Sequence, residues 1–118
     1  MKQTYRLFIR LEHPQRIRVG RLGTFDFAAG LYVYTGSARG GIGSRVLRHM
    51  GLSARPRRVR WHIDYLLTAP GCRVERVDLH EGIECAINRA GGGSSPVPGF
   101  GASDCTAGCG SHLRFLGP

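Results

Sequence analysis

A chain of 118 residues is long enough for one domain with a core of its own, and a second core need not be sought. Its formal charge of +9 comes from 17 basic against 8 acidic residues, and Lys2 is the one lysine, so arginine supplies nearly all the positive field. The amino terminus MKQTYRLFIRLEHP lacks an apolar core of signal-peptide length and no later run approaches membrane-spanning length, which argues against export or a membrane role and for the cytoplasm.

Tyr5, Leu7, Ile9 and Leu11 alternate with Arg6, Phe8 and Arg10, the period of a strand with one face buried. His13-Pro14 breaks it. Ile17 and Val19 alternate with Arg16 and Arg18, Thr24 to Phe27 forms another short extended piece, and Leu31 to Tyr34 reads as a strand pairing back against these. A first helix is expected over Gly43 to Met50, with Val46, Leu47 and Met50 apolar and Gly51 placed to end it. Trp61 to Leu67 fits a buried helix with Ile63, Leu66 and Leu67 inward, although the alternation of Trp61, Ile63, Tyr65 and Leu67 also permits a strand; the helix is preferred. Cys72 to Leu79 reads as a strand, Glu81 to Ala90 as a short helix stopped by Gly91-Gly92-Gly93, and Leu113 to Leu116 as a terminal strand after an ordered glycine-rich loop. The whole is expected to be a single α/β domain over 1–118, a small, mostly antiparallel sheet flanked by helices.

Function is concentrated in GLYVYTGSARGGIGSRVLRH, from Gly30 to His49. A strand ends in Tyr34-Thr35-Gly36, a glycine-rich turn follows, and Arg45 and His49 stand one helical turn apart, where both can approach the same small volume. The guanidinium fork matches phosphate oxygens, so the basic excess favours a polyanion, most economically nucleic acid; genomic base bias would give the same composition without a partner. Arg55 to Arg60, RPRRVR, holds four arginines around one proline with Trp61 beside them, and reads either as a solvated lead-in or as a phosphate-contacting patch next to a stacking aromatic. Arg39, Arg48, Arg57, Arg58 and Arg60 are the candidate nucleic-acid contacts.

Four cysteines without an export signal read as thiols or metal ligands and not as a disulfide framework. Cys105 and Cys109 followed by His112, with Cys85 or Asp104 as a fourth partner, have donors that zinc accepts, but the C-x3-C spacing is unusual and buried thiols beside a packed histidine explain it as simply. A structural zinc is therefore not favoured.

Tyr5 on the first strand, YTG at Tyr34 to Gly36, Arg45 and His49 on the next helix and Glu84 on a later one together resemble the GIY-YIG nuclease superfamily. QTYRLFIRLE, RLGTFDFAAGLYVYTGSARGG, RWHIDYLL, IECAIN and GFGASDC with SHL resemble its GIY-YIG-like branch of uncharacterised function, over nearly the whole chain. The resemblance implies that the two tyrosines sit on neighbouring strands, which assigns the first motif to Gln3-Thr4-Tyr5 and not to Gly30-Leu31-Tyr32. Tyr5 and Tyr34 would meet across the sheet, with Tyr32 on the same face as Tyr34.

The chemistry so implied is metal-assisted phosphodiester hydrolysis, in which Glu84 holds magnesium or manganese, Arg45 binds the phosphate, Tyr34 orients or activates water, and Tyr5 and His49 support that network. Forming phenolate at neutral pH would cost about 4 kcal/mol from a pKa near ~10 unless nearby cations lower it. Ser37 stands where some catalytic relatives carry lysine, and Asn88 is only a geometric stand-in for the asparagine that often follows the metal glutamate. The expected function is a divalent-metal-dependent DNA endonuclease, the alternative a noncatalytic nucleic-acid-binding module; RNA and oligomeric state stay open.

Overall fold

The computed structural model describes residues 4–37, 62–81, 87–88, 92–100 and 111–118. Its strands are β1 (Thr4–Leu11), β2 (Gln15–Arg18), β3 (Thr24–Phe27), β4 (Gly30–Ser37), β5 (Cys72–His80) and β6 (Leu113–Gly117), with one short helix, α1 (His62–Leu67), and a 3-10 turn at Gly20–Leu22. Four strands form an antiparallel sheet in the order β5-β1-β4-β6, and β2 and β3 form a separate two-stranded ribbon. The radius of gyration, 13.0 Å, is that of a compact domain of about this size.

The alternation in β1 becomes the floor of the core. Tyr5, Leu7, Ile9 and Leu11 are all but fully buried, and they lie on the same face as Tyr32 and Tyr34 of β4, Leu113 and Phe115 of β6, and Val74 and Val77 of β5. Over this face pack Ile63, Leu66 and Leu67 of α1, Ile17 of β2, Phe27 of β3, and Val97 and Phe100. Asp64 of α1 is fully buried too, and it is not left without a partner. Because β1 is central, its other face is also partly covered: Thr4 and Phe8 are buried there.

Several expectations meet a different arrangement. β4 does not pair back onto β2 and β3 but lies between β1 and β6. Val19 falls outside β2 at the foot of the 3-10 turn, where its N–H bonds Gly23 O at 2.8 Å. The sheet is mostly antiparallel as expected, but α1 is the one helix element among the described residues that flanks it. The helix expected over Gly43 to Met50 lies outside the described residues, and of Glu81 to Ala90 only Ile87 and Asn88 are described as helical.

Gly36 sits directly opposite Tyr5 in the β1–β4 ladder, and a Cβ on Gly36 would run into the Tyr5 ring and hydroxyl. The glycine is thus a consequence of the aromatic ring lying flat over the neighbouring strand. Gly36→Ala is expected to destabilise the fold by about 1–3 kcal/mol, as overpacking does. Urea unfolding checks this, and an alanine variant as stable as the parent would contradict the close approach.

Candidate functional site

Antiparallel pairing brings one end of every sheet strand together: Thr4 and Tyr5 of β1, Gly36 and Ser37 of β4, Leu79 and His80 of β5, and Leu113 of β6. On the core face of this end the Tyr5 and Tyr34 rings lie 6.4 Å apart, Tyr34 meets Phe100 edge-on at 6.2 Å, and His62 lies 5.7 Å from Phe100. Tyr5 is buried and Tyr34 half-buried. The two tyrosines therefore meet across the sheet as expected. Tyr32 shares their face but points its chemistry elsewhere: its hydroxyl donates to Ala28 O at 2.6 Å, and burial pushes its pKa up to about 12. It is a packed, hydrogen-bonded phenol.

The same end is where the chain enters and leaves the stretches that carry the other sequence candidates. Residues 38–61 are bordered by Ser37, opposite Thr4, and by His62, whose ring rests on Phe100. Residues 82–86 follow Glu81, next to His80 opposite Thr4, and lead to Asn88, whose side-chain amide donates to Ser111 O at 2.8 Å. Residues 101–110 are bordered by Phe100 and by Ser111-His112, and the His112 N–H closes that gap by bonding Phe100 O at 2.8 Å. His112 O in turn accepts from the Thr35 N–H at 3.0 Å. Arg39, Arg45, Arg48, His49, Arg57, Arg58, Arg60, Glu84, Cys85, Asp104, Cys105 and Cys109 lie outside the described residues.

The reverse face of this end holds a cluster that the sequence did not single out. Arg6 donates to both carboxylate oxygens of Asp78, at 2.9 and 2.8 Å, and His80 Nε2 lies 2.8 Å from Asp78 Oδ1. Phe8 is packed between the Arg6 and Arg76 guanidinium groups, whose central carbons are 5.1 and 3.9 Å from the ring centre. Alternation puts Asp78 and His80 on one face, but only the β1–β5 register places Arg6 opposite Asp78. Burial alone would raise the Asp78 carboxyl, yet hydrogen bonds and charge from Arg6 and His80 outweigh it and hold it below the usual carboxylate value.

Charge is distributed unevenly. The described residues contain eight arginines and six acidic residues, and their ion pairs run within the framework: Arg6 and Arg76 to Asp78, Arg10 to Glu75, Arg16 to Asp26, and Arg73 to Glu12 and Glu75. Between positions 38 and 61 the sequence has seven arginines and no acidic residue. By sequence, most of the formal excess of +9 therefore falls on the stretch that borders Ser37 and His62.

A family model for the domain of unknown function DUF123 matches residues 4–117. The chain belongs to the DUF123 family. That match corrects the resemblance to the GIY-YIG nuclease superfamily and its uncharacterised branch: no GIY-YIG family model matches this DUF123 chain. Of the blocks behind the resemblance, the glycine of Tyr34-Thr35-Gly36 has a local physical cause, the Tyr5 ring that would meet a Cβ at Gly36. No curated protein and no solved structure matches the chain. Among the described residues of this DUF123 domain, no group of three or more His, Cys, Asp or Glu is placed to hold a metal ion, and no helix is long and apolar enough to cross a membrane.

Because Asp78 titrates lower in the folded chain than unfolded, its stabilisation is complete above the ordinary value of about 3.9 and fades as pH falls through the folded value. Asp78→Asn should cost about 1–2 kcal/mol at neutral pH. The gap between variant and parent should close in acid. Denaturant unfolding at neutral and acidic pH checks this, and a gap that does not narrow in acid would contradict the ion-pair account.

Proposed function

We propose that this protein binds DNA at the Tyr5–Tyr34 end of the sheet, with Arg39, Arg48, Arg57, Arg58 and Arg60 supplying phosphate contacts. The observation that carries this reading is the segregation of charge. Among the described residues Arg6, Arg10, Arg16, Arg73 and Arg76 pair with carboxylates of the sheet and ribbon, while the stretch 38–61, with seven arginines and no acidic residue in its sequence, borders Ser37 and His62 at the end where the aromatic cluster lies. Guanidinium groups suit a sugar-phosphate backbone, and of the described rings at this end the half-buried Tyr34 and His62 are the ones that reach the surface. RNA presents the same phosphates and forms a separate arm of the test.

A hydrolytic reading of the same end is favoured by the meeting of Tyr5 and Tyr34 where the borders of 38–61 and 82–86 converge. In it Arg45 binds the scissile phosphate, Tyr34 orients the attacking water as a neutral phenol, and Tyr5 and His49 hold that arrangement. Glu84 is the carboxylate for magnesium or manganese, which would supply Lewis-acid stabilisation of the developing charge. Glu84 lies outside the described residues, so no geometry is assigned to it. A zinc at Cys105, Cys109 and His112 is less favoured, because the C-x3-C spacing is unusual and no fourth ligand is set by the sequence.

Fluorescence anisotropy of labelled duplex DNA and RNA across a salt series tests the binding reading. Arg57→Ala with Arg58→Ala should lower the log-log salt slope by about 1–2. An unchanged slope would assign both to solvated surface. A magnesium- and manganese-dependent cleavage assay on single-stranded, duplex, flap and branched DNA tests the hydrolytic one. Cleavage lost in Glu84→Ala and in Tyr34→Phe supports it, and tight binding with no cleavage on any substrate overturns it while leaving the binding reading intact.

A further inference from the structure

We infer that a second copy of this chain docks along the outer edge of β5, pairing antiparallel with a two-fold axis between Glu75 and Arg76. Among the described residues the two edges of the sheet differ. On the β6 side Ser94 exchanges both backbone hydrogen bonds with Phe115, at 3.1 and 2.8 Å. On the β5 side no strand pairs with the outer edge among the described residues, although β5 is the longest strand, with nine residues. A long, open edge is a template for another strand unless something prevents it. Its side chains stand out into solvent: Arg73 is 56% exposed, Arg76 64% and Leu79 42%.

The pattern along CRVERVDLH is complementary to itself. With the axis between Glu75 and Arg76, Glu75 faces Arg76 of the partner subunit, Val74 faces Val77 of the partner subunit, Arg73 faces Asp78 of the partner subunit and Cys72 faces Leu79 of the partner subunit. Every charged pair is opposite in sign and every other pair is apolar. The faces agree as well. Val74 and Val77 lie toward the core, Arg73 and Asp78 lie on the reverse face, and the register shift against Phe8 and Ile9 makes Glu75 the extra residue of a bulge, so that Glu75 and Arg76 share the reverse face. The in-out order is then mirror-symmetric about the axis.

Other registers fail. A shift of one residue in either direction sets Glu75 on Glu75 or Arg76 on Arg76 and turns valines against charged residues. Mixed charge thus blocks arbitrary strands while matching one partner, which is how edge charges give specificity. The bulge lies on the axis, so both strands bring the same local twist to the centre of the pairing. The contacts repeat twice by symmetry, as an isologous interface requires. These groups already carry contacts within the chain, Asp78 with Arg6 and His80, Arg73 with Glu12 at 2.6 Å and Glu75 with Arg10 at 3.5 Å, and the pairing adds a second partner on the side where Arg73 and Arg76 remain 56% and 64% exposed.

Sedimentation velocity of the full chain, freed of nucleic acid, from low to high micromolar concentration is the test, and it is independent of DNA binding. The mass should rise from one chain toward two. Glu75→Arg, which makes two like-charge contacts per dimer, should raise the dissociation constant by about tenfold or more, and Arg73→Glu should do the same. Glu75→Arg combined with Arg76→Glu should return it to within about threefold of the parent, since the swap preserves complementarity. A single-chain mass at every concentration, a Glu75→Arg dimer as tight as the parent, or a double variant no tighter than the single would each overturn the proposal.

Discussion

The register of β1 against β4 and β5 is the constraint on which the rest of the structure depends. The row Tyr5, Leu7, Ile9, Leu11 must face the core, and a slip of one residue would turn Arg6 and Arg10 into that layer. Two further contacts hold the same register. Gly36 admits the Tyr5 ring on one side, and Arg6 meets Asp78 through two hydrogen bonds on the other. Each also belongs to the end of the sheet where the functional candidates gather, so packing and site are set by the same pairing.

That end has two chemically different faces. The core side is aromatic, running from Tyr5 through Tyr34 and Phe100 to His62. The reverse side is ionic, with Asp78 bound between Arg6 and His80. Compensation within the framework leaves its own field small, and the basic excess of the sequence falls on 38–61, which the framework borders at both ends. A polyanion approaching this protein would be steered toward that end by charge, where Tyr34 and His62 are half-buried.

Local patterns were legible because they report local geometry. Period-2 alternation announced β1 and β2, short extended stretches marked β3, β4, β5 and β6, and helical spacing of Ile63, Leu66 and Leu67 outweighed the competing alternation at Trp61 to Leu67. Pairing was not legible. Nothing in the composition of β4 says that it lies between β1 and β6 instead of beside β3, because that choice is made by burial of distant rows. Likewise Arg6 and Asp78 are 72 residues apart, and their contact exists only once the register does. The Tyr5–Tyr34 meeting followed from a resemblance, and the pair stands on its own geometry now that the family is DUF123. Arg45, His49 and Glu84 lie outside the described residues, where no distance bears on them.

The central claim is that one end of the sheet receives nucleic acid. Backbone amide chemical-shift mapping of the isotope-labelled chain during titration with a short DNA duplex addresses it directly. Shifts centred on Tyr5, Tyr34, Gly36, His62, Phe100 and His112 are predicted, with Leu11, Gly30, Cys72 and Gly117 at the opposite end unmoved. Shifts centred on that opposite end, or spread evenly over both, would contradict the account.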